Sequence, residues 1–178
     1  MRADERGLGT RADELRAAFD RSFANVPRLD TGTSIDLLAI RIAGDAYALS
    51  LAEVAGLFVD RAVTPLPTNV PELLGIAGFR ATLVPVYDLG ALLGYSGGDP
   101  PRWMVSTVGG RAVGLVFDLF ERHVRVAPSA LASDDSNARR HVRQIVRTAD
   151  GVRPVIHLPS VLEEITARAQ SVTRPKER

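Results

Sequence analysis

The chain contains an internal repeat, and that repeat limits its architecture more than any other feature. PVYDLGALL (residues 85–93) resembles PVIHLPSVL (residues 154–162). Each copy reads as a strand running directly into a short helix, and Asp88 is well suited to cap the first helix while Gly94 is suited to end it. Each copy also follows a hairpin pattern. Leu38, Ile40 and Ile42 alternate, Ala43-Gly44-Asp45 turns, and Tyr47 and Leu49 resume. Later, Trp103, Val105 and Thr107 alternate, Gly109-Gly110 turns, and Val113, Leu115 and Phe117 follow. Two copies of hairpin, connector, strand and short helix predict two similar β-subdomains. Neither is long enough to hold a comfortable core alone, so they should pack across an apolar seam.

Strands this short and numerous, punctuated by Gly and Pro, favour barrels or a sandwich over a layered α/β sheet. The chain has 178 residues, 46 % hydrophobic and 24 % charged, the balance of a globular protein. Residues 1–30 read differently. Thr10 and Asp13 start a helical pattern that Pro27 ends, and Leu15, Phe19 and Phe23 place a narrow apolar stripe on it. That stripe packs on the body of the same molecule or docks a partner; self-packing is the plainer reading. Residues 31–168 are expected to form the folded domain, with the seam between its subdomains near residues 95–110 and crossovers between them, and residues 169–178 read as a flexible tail.

Searching for chemistry excludes more than it finds. There is no cysteine, which removes disulfides, thiolate nucleophiles and zinc–thiolate sites. His123, His141 and His157 are too far apart in sequence for a local metal motif. His157 stands where Asp88 stands in the first copy, which suits a structural connector, and His123 falls in an alternating strand and reads as a surface residue. Asp88 and Asp118 each follow an apolar strand, and capping and turn roles account for both. Gly109, Gly110 and Gly114 lie between strands, whereas a phosphate loop leads into a helix. Lys176 is the sole lysine, which leaves no Ser-x-x-Lys motif, and no Gly-x-Ser-x-Gly elbow occurs. No enzyme and no cofactor is expected.

Net charge is +1, without the bias that nucleic acid or anionic lipid would attract. The dense basic stretch from Arg139 to Arg147 carries no aromatic residue, so a base-stacking surface has little support, and it reads as a solvated strand edge. No apolar run approaches the roughly 20 residues needed to span a bilayer, and the first 16 residues lack the apolar core of a secretory signal. A cytoplasmic location follows as the default expectation.

The segment GIAGFRATLVPVYDL (residues 75–89) resembles the signature of CheW-like proteins, roughly G-(V/I)-x-N-(L/V)-R-G-x-(V/I)-(V/L)-P-(V/I)-x-D-L. The likeness continues in order through GDAYAL (44–49), Val54, PLP (65–67), the hairpin at 110–118 and the second Pro-Val connector, covering about residues 35–165. It implies a mainly β fold of two small five-stranded SH3-like barrels with short helices, Leu89–Leu93 and Leu158–Glu163. It also implies an adaptor that couples chemoreceptor signalling tips to the regulatory domain of a CheA-type histidine kinase, cytoplasmic and recruited to receptor arrays. The family holds the receptor tip at the seam between barrels. On that basis Arg80, Phe79, Val54, Gly56, Phe58 and Gly75 are the expected partner-binding residues.

The departures carry their own expectation. The family's Asn and final Gly are Gly78 and Ala81 here, and its acid two places after the first-barrel Val is Gly56, so Arg80 lacks its usual partner. The loop after Leu131 has none of the aromatic or proline character of a kinase contact. The alternative reading is therefore a divergent scaffold that binds receptors or other partners without activating a kinase.

Overall fold

Two hairpins of the same design organise the chain. The computed structural model describes residues 34–79, 82–96, 101–109, 112–134 and 139–173. The N-terminal stripe of Leu15, Phe19 and Phe23 lies outside these residues, as do Arg80 and Ala81. The first hairpin is β1 (Ile35–Ile42) and β2 (Asp45–Ser50). Its two-residue turn places Ala43 at φ 51° and Gly44 at φ 84°, the paired left-handed conformation that matches strand twist. Asp118 Oδ2 accepts the Ala43 N–H at 2.6 Å and so holds that turn in place. The second hairpin is β6 (Trp103–Thr107) and β7 (Gly114–Phe117), closed by the Thr107 N–H donating to the Val113 carbonyl at 3.0 Å.

After each hairpin the chain changes sheets. β3 (Val54–Val59) follows β2 but pairs with β6, and β8 (Leu119–Val126) follows β7 but pairs with β1. Then come two further hairpins, β4 (Leu73–Phe79) with β5 (Thr82–Asp88), and β10 (Val142–Thr148) with β11 (Gly151–Ile156). The resulting sheets run β3-β6-β7-β5-β4 and β8-β1-β2-β11-β10-β9, where β9 is Leu131–Ser133. The repeat extends to register. Val86 and Tyr87 lie parallel to Gly114 and Leu115, as Val155 and Ile156 lie parallel to Ala48 and Leu49. Both outer hairpins also shift register at the same place, between Leu73 and Gly75 and between Val142 and Gln144. The strands are exchanged, so each sheet draws on the chain from both sides of residues 95–110.

The expectation of two closed five-stranded barrels is corrected: the sheets have five and six strands, and both keep open edges. In the first sheet, β3 and β4 are not joined by a ladder. A single bridge, Thr64 with Ile76, covers the β4 edge through bonds of 2.8 and 2.9 Å. The segment that would continue it contains Pro65, Pro67 and Pro71, which have no N–H to offer a ladder. The second sheet is nevertheless strongly rolled. β8 and β9 lie at opposite edges, yet only residues 127–130 connect them. Such a link reaches about 17 Å, whereas six flat strands would set their outer members about 24 Å apart.

Rolling gives each sheet two apolar faces. The main core lies between the sheets, around Ile40, Leu49, Leu89, Leu115, Phe117 and Ile156. Smaller clusters fill the other faces: Ala77, Val86, Met104 and Val116 in one sheet, Leu37, Ala48, Val146 and Val155 in the other. The apolar seam expected from the repeat is the largest of the three.

The first helix is Leu89–Leu93, as the repeat predicts. The Asp88 carboxylate accepts the Ala91 N–H at 3.1 Å, and Gly94 ends the helix at φ 95°. In the second copy His157 takes the capping role, its Nδ1 accepting the Ser160 N–H at 3.2 Å, while Glu53 Oε2 accepts the Leu158 N–H at 3.1 Å. That helix is not short. It runs Leu158–Thr173, past the expected end at Glu163 and into the expected tail. No glycine stops it, the stripe Leu158, Val161, Leu162 and Ile165 continues onto the core, and Glu164 pairs with Arg168 one turn on. A second correction concerns the basic stretch: β10 is flanked by β11 and β9, so it is not a sheet edge.

Candidate functional site

The open side of the five-stranded sheet brings together part of the expected site. β3 and β4 are its two outermost strands, and their inward side chains meet where backbone pairing is missing. Phe58 and Phe79 pack edge to face, with centroids 4.8 Å apart and planes at 69°. Both cover the cluster of Ala77, Val86, Met104 and Val116. Gly56 lies beside this pair. A Cβ there would stand 2.9 Å from the Phe58 ring and 3.3 Å from Ser106 Oγ, so a side chain at this position would have to displace that ring.

Gly75 has a different task. Its φ of 150° and its β-bulge bring the backbone against the Thr64–Pro65 segment, and a Cβ would lie 2.1 Å from the Thr64 carbonyl oxygen. It permits the one bridge that covers the β4 edge. Val54 is not part of the phenylalanine cluster. The register shift after it turns its side chain to the main core between the sheets. Arg80 is outside the described residues.

The guanidinium that the structure places on the aromatic pair belongs to Arg61. Its Cζ lies 4.9 Å from the Phe79 centroid and 5.7 Å from the Phe58 centroid, and its Nη2 donates to the Gly78 carbonyl. A cation over an aromatic face is attracted by the ring quadrupole. Arg61 follows a sharp bend. Asp60 has φ 49°, its N–H donates to the Arg102 carbonyl at 2.8 Å, and its carboxylate takes a two-pronged contact from the Arg102 guanidinium at 2.7 and 2.9 Å. Those hydrogen bonds hold the Asp60 carboxyl below the usual carboxylate range. Arg61 is exposed, as are Val59 and Leu66 near it in sequence. The signal that could have found it is the lone arginine two residues past the end of β3, the strand that already carries Gly56 and Phe58.

A second polar assembly has the parts of a catalytic triad. The His141 side chain is 8 % exposed, its Nδ1 lies 3.0 Å from Ser160 Oγ, and its Nε2 lies 2.6 Å from Glu164 Oε2. The Ser160 hydroxyl, however, donates to the His157 carbonyl at 2.8 Å, which commits its proton to the backbone. In this arrangement the serine ties the helix N-terminus. Burial raises the Glu164 carboxyl, but the His141 hydrogen bond and the charges of Arg168, His141 and Arg140 outweigh it, and the net direction is down. His123 pairs with Asp36 at 2.8 Å on the surface of β8. Among the described residues no cluster of three His, Asp or Glu side chains is placed to hold a metal, and no helix is long and apolar enough to cross a membrane.

Comparison with known proteins identifies the family. No curated protein matches the chain. Among solved structures it is similar to the scaffolding protein TtCheW from Thermoanaerobacter tengcongensis, with a TM-score of 0.63 at 19 % identity over 70 % of this chain and 89 % of that one. That likeness is one of fold. The profile of the CheW-like domain matches residues 36–166, the whole of the exchanged two-sheet unit and its connectors. The chain belongs to the CheW-like domain family.

Proposed function

We propose that this protein is a chemosensory adaptor that couples chemoreceptors to a CheA-type histidine kinase through protein–protein contact, in the cytoplasm and at receptor arrays. The CheW-like family consists of scaffold and adaptor proteins, which supports the class. The observation that carries the reading on this chain is Arg61 held over Phe58 and Phe79 at the open side of the five-stranded sheet. An arginine fork pre-positioned on aromatic rings is the kind of anchor that dominates binding energy, and it suits a partner carboxylate. Phe79, Phe58, Gly56 and the covering bridge at Gly75 belong to this proposed surface. Val54 contributes from the core side, and Arg80 adjoins it in sequence.

A second reading has a specific observation behind it. The chain has Gly56 where the family carries an acid, and a side chain there would have to displace the Phe58 ring. On this reading the chain is a divergent scaffold that binds receptors without activating a kinase. Co-purification of the full chain with a receptor signalling fragment and with the kinase regulatory domain separates the two. Capture of both, each weakened by Arg61→Ala, supports coupling; capture of the receptor fragment alone supports the second reading; capture of neither refutes both.

A further inference from the structure

The two copies of the repeat end unequally. The first helix stops at Gly94, but the long helix continues past Leu162, the residue equivalent to Leu93. Its first half is firmly set. Leu158 and Val161 are buried in the main core, while Glu53 and His157 accept the Leu158 and Ser160 N–H groups. The continuation is held differently. Among the described residues Ile165 is its last buried side chain, and Thr166, Ala167, Ala169 and Gln170 are exposed. Two charged side chains tie it down. Glu164 lies 2.6 Å from His141 Nε2 and 3.3 Å from Arg140 Nη1, and Arg168 donates both to Glu72, ahead of β4, and to Glu164 one turn back. Open space flanks this stretch on two sides. Leu162, Ile165, Thr166, Ala169 and Gln170 wall a groove of about 870 Å³ whose far side includes Leu83 and Pro85. Ile165, Arg168 and Ala169 wall a cavity of about 230 Å³ against Val70, Leu73 and Leu92. At 3.6 residues per turn, Ile165 and Ala169 form the ridge between the two. The joint with the first half carries a competing hydrogen bond. The Thr166 hydroxyl donates to the Leu162 carbonyl at 2.8 Å, the same carbonyl that the helical ladder uses for the Thr166 N–H. Such back-bonding weakens a helix and favours bending there.

We propose that residues 163–173 form a detachable strap, which leaves the body as a unit about the Leu162–Thr166 joint while both sheets and the first half of the helix stay folded. An element with one buried apolar anchor, an exposed outer side and polar ties belongs to the low end of the stability range within a fold. Once detached, the segment is shorter than the roughly 12–15 residues that an isolated helix needs in water, so it unwinds. Its departure opens the groove into the cavity beside the main core. Glu164 is the common member of the ties, joined to His141, Arg140 and Arg168, so this one carboxylate sets how often the strap lifts. Access to an apolar cleft is thereby governed by polar contacts at its rim.

The test is native-state hydrogen exchange of the full chain, read by amide NMR at increasing urea concentrations below the unfolding transition. Amides from Ala167 to Gln170 should share one opening, at least about 100-fold more frequent than the openings that expose β1, β2, β6 and β7, and insensitive to urea because little surface is uncovered. Glu164→Gln should make that opening about tenfold more frequent, the effect of replacing hydrogen bonds to a charged group by neutral ones. Leu37→Val lies in the small cluster of the six-stranded sheet, away from the long helix. It should speed exchange in the sheets about fivefold through the lost methylene, and should leave Ala167 to Gln170 unchanged, because the sheets remain folded when the strap opens. Protection that declines residue by residue toward Thr173 is ordinary fraying of a helix end and overturns the proposal. So does exchange of these amides at the rate of the sheets, or acceleration by Leu37→Val, or an unchanged rate in Glu164→Gln.

Discussion

The Arg61 guanidinium lies over the Phe79 ring, 4.9 Å from its centre, and donates to the carbonyl of Gly78 immediately before it. One side chain thus spans the gap between β3 and β4 that backbone pairing leaves open. Arg61 itself is exposed, so its removal is a surface change for the fold. Arg61→Ala should lower stability by no more than about 1 kcal/mol, the scale of an exposed cation–π contact. It should weaken capture of a receptor signalling fragment about tenfold or more, with Arg61→Lys intermediate because it lacks the planar fork. Thermal melts and a binding titration on the same three proteins check this.

Gly75 and Gly78 share a strand and should respond oppositely to alanine. At Gly75 a methyl group would strike the Thr64 carbonyl at 2.1 Å with φ at 150°, whereas at Gly78 nothing lies within 4 Å. Gly75→Ala should cost more than about 2 kcal/mol and expose the β4 edge. Gly78→Ala should stay within about 1 kcal/mol of the parent. Denaturant unfolding of both variants decides it.

Glu121 links stability to acid. Its carboxylate receives Arg41 Nε at 2.6 Å and lies 2.6 Å from Arg153 Nη1, whose residue is 5 % exposed. Burial raises the Glu121 carboxyl, but hydrogen bonds and charge from the two arginines prevail, so its folded pKa lies below the ordinary 4.5. The pairing therefore contributes fully above that value and is lost as pH falls through the depressed one. Glu121→Gln should cost about 3 kcal/mol at pH 7, because it leaves Arg153 buried without its anion. Unfolding curves from pH 7 to pH 3 should show this gap between parent and variant closing in acid.

The two helix caps offer a paired test of the repeat. Asp88→Ala and His157→Ala each remove the acceptor for a first-turn N–H, and each should cost about 1 kcal/mol. His157→Asn should recover most of that loss. His157→Asp should not recover it at neutral pH, since the Glu53 carboxylate already sits 3.1 Å from the Leu158 N–H. Melting temperatures of the four variants are the readout.

Much of this fold was legible in the chain. The connectors at Pro85 and Pro154, the first hairpin at Ala43-Gly44, the short helix and the equivalence of Asp88 with His157 all depend on local pattern. What was not legible depends on partners distant in sequence. Crossovers between the subdomains are expected, but that β3 and β8 are the strands exchanged cannot be read from strands that would pair equally well with their own hairpins. Barrel closure failed because of prolines 65, 67 and 71, whose effect depends on which strand they run beside. The second helix outruns the expected end at Glu163 because no glycine follows Leu162 to stop it as Gly94 stops the first. Phe58, Phe79 and Gly56 converge as expected, but Val54 faces the other side of the sheet after a register shift. Arg61 is 18 positions from Phe79, and only the rolled sheet makes them neighbours.

The strand exchange also bears on how the molecule comes into being. When residues 1–100 have left the ribosome, β1 still awaits β8, β2 awaits β11, and β3 awaits β6. Neither sheet can be finished from the first half of the chain, and the second half lacks β1 and β2 in turn. Both sheets should therefore form only once β6 to β11 are available, and two fragments divided near residue 98 should each stay unfolded alone and assemble when mixed.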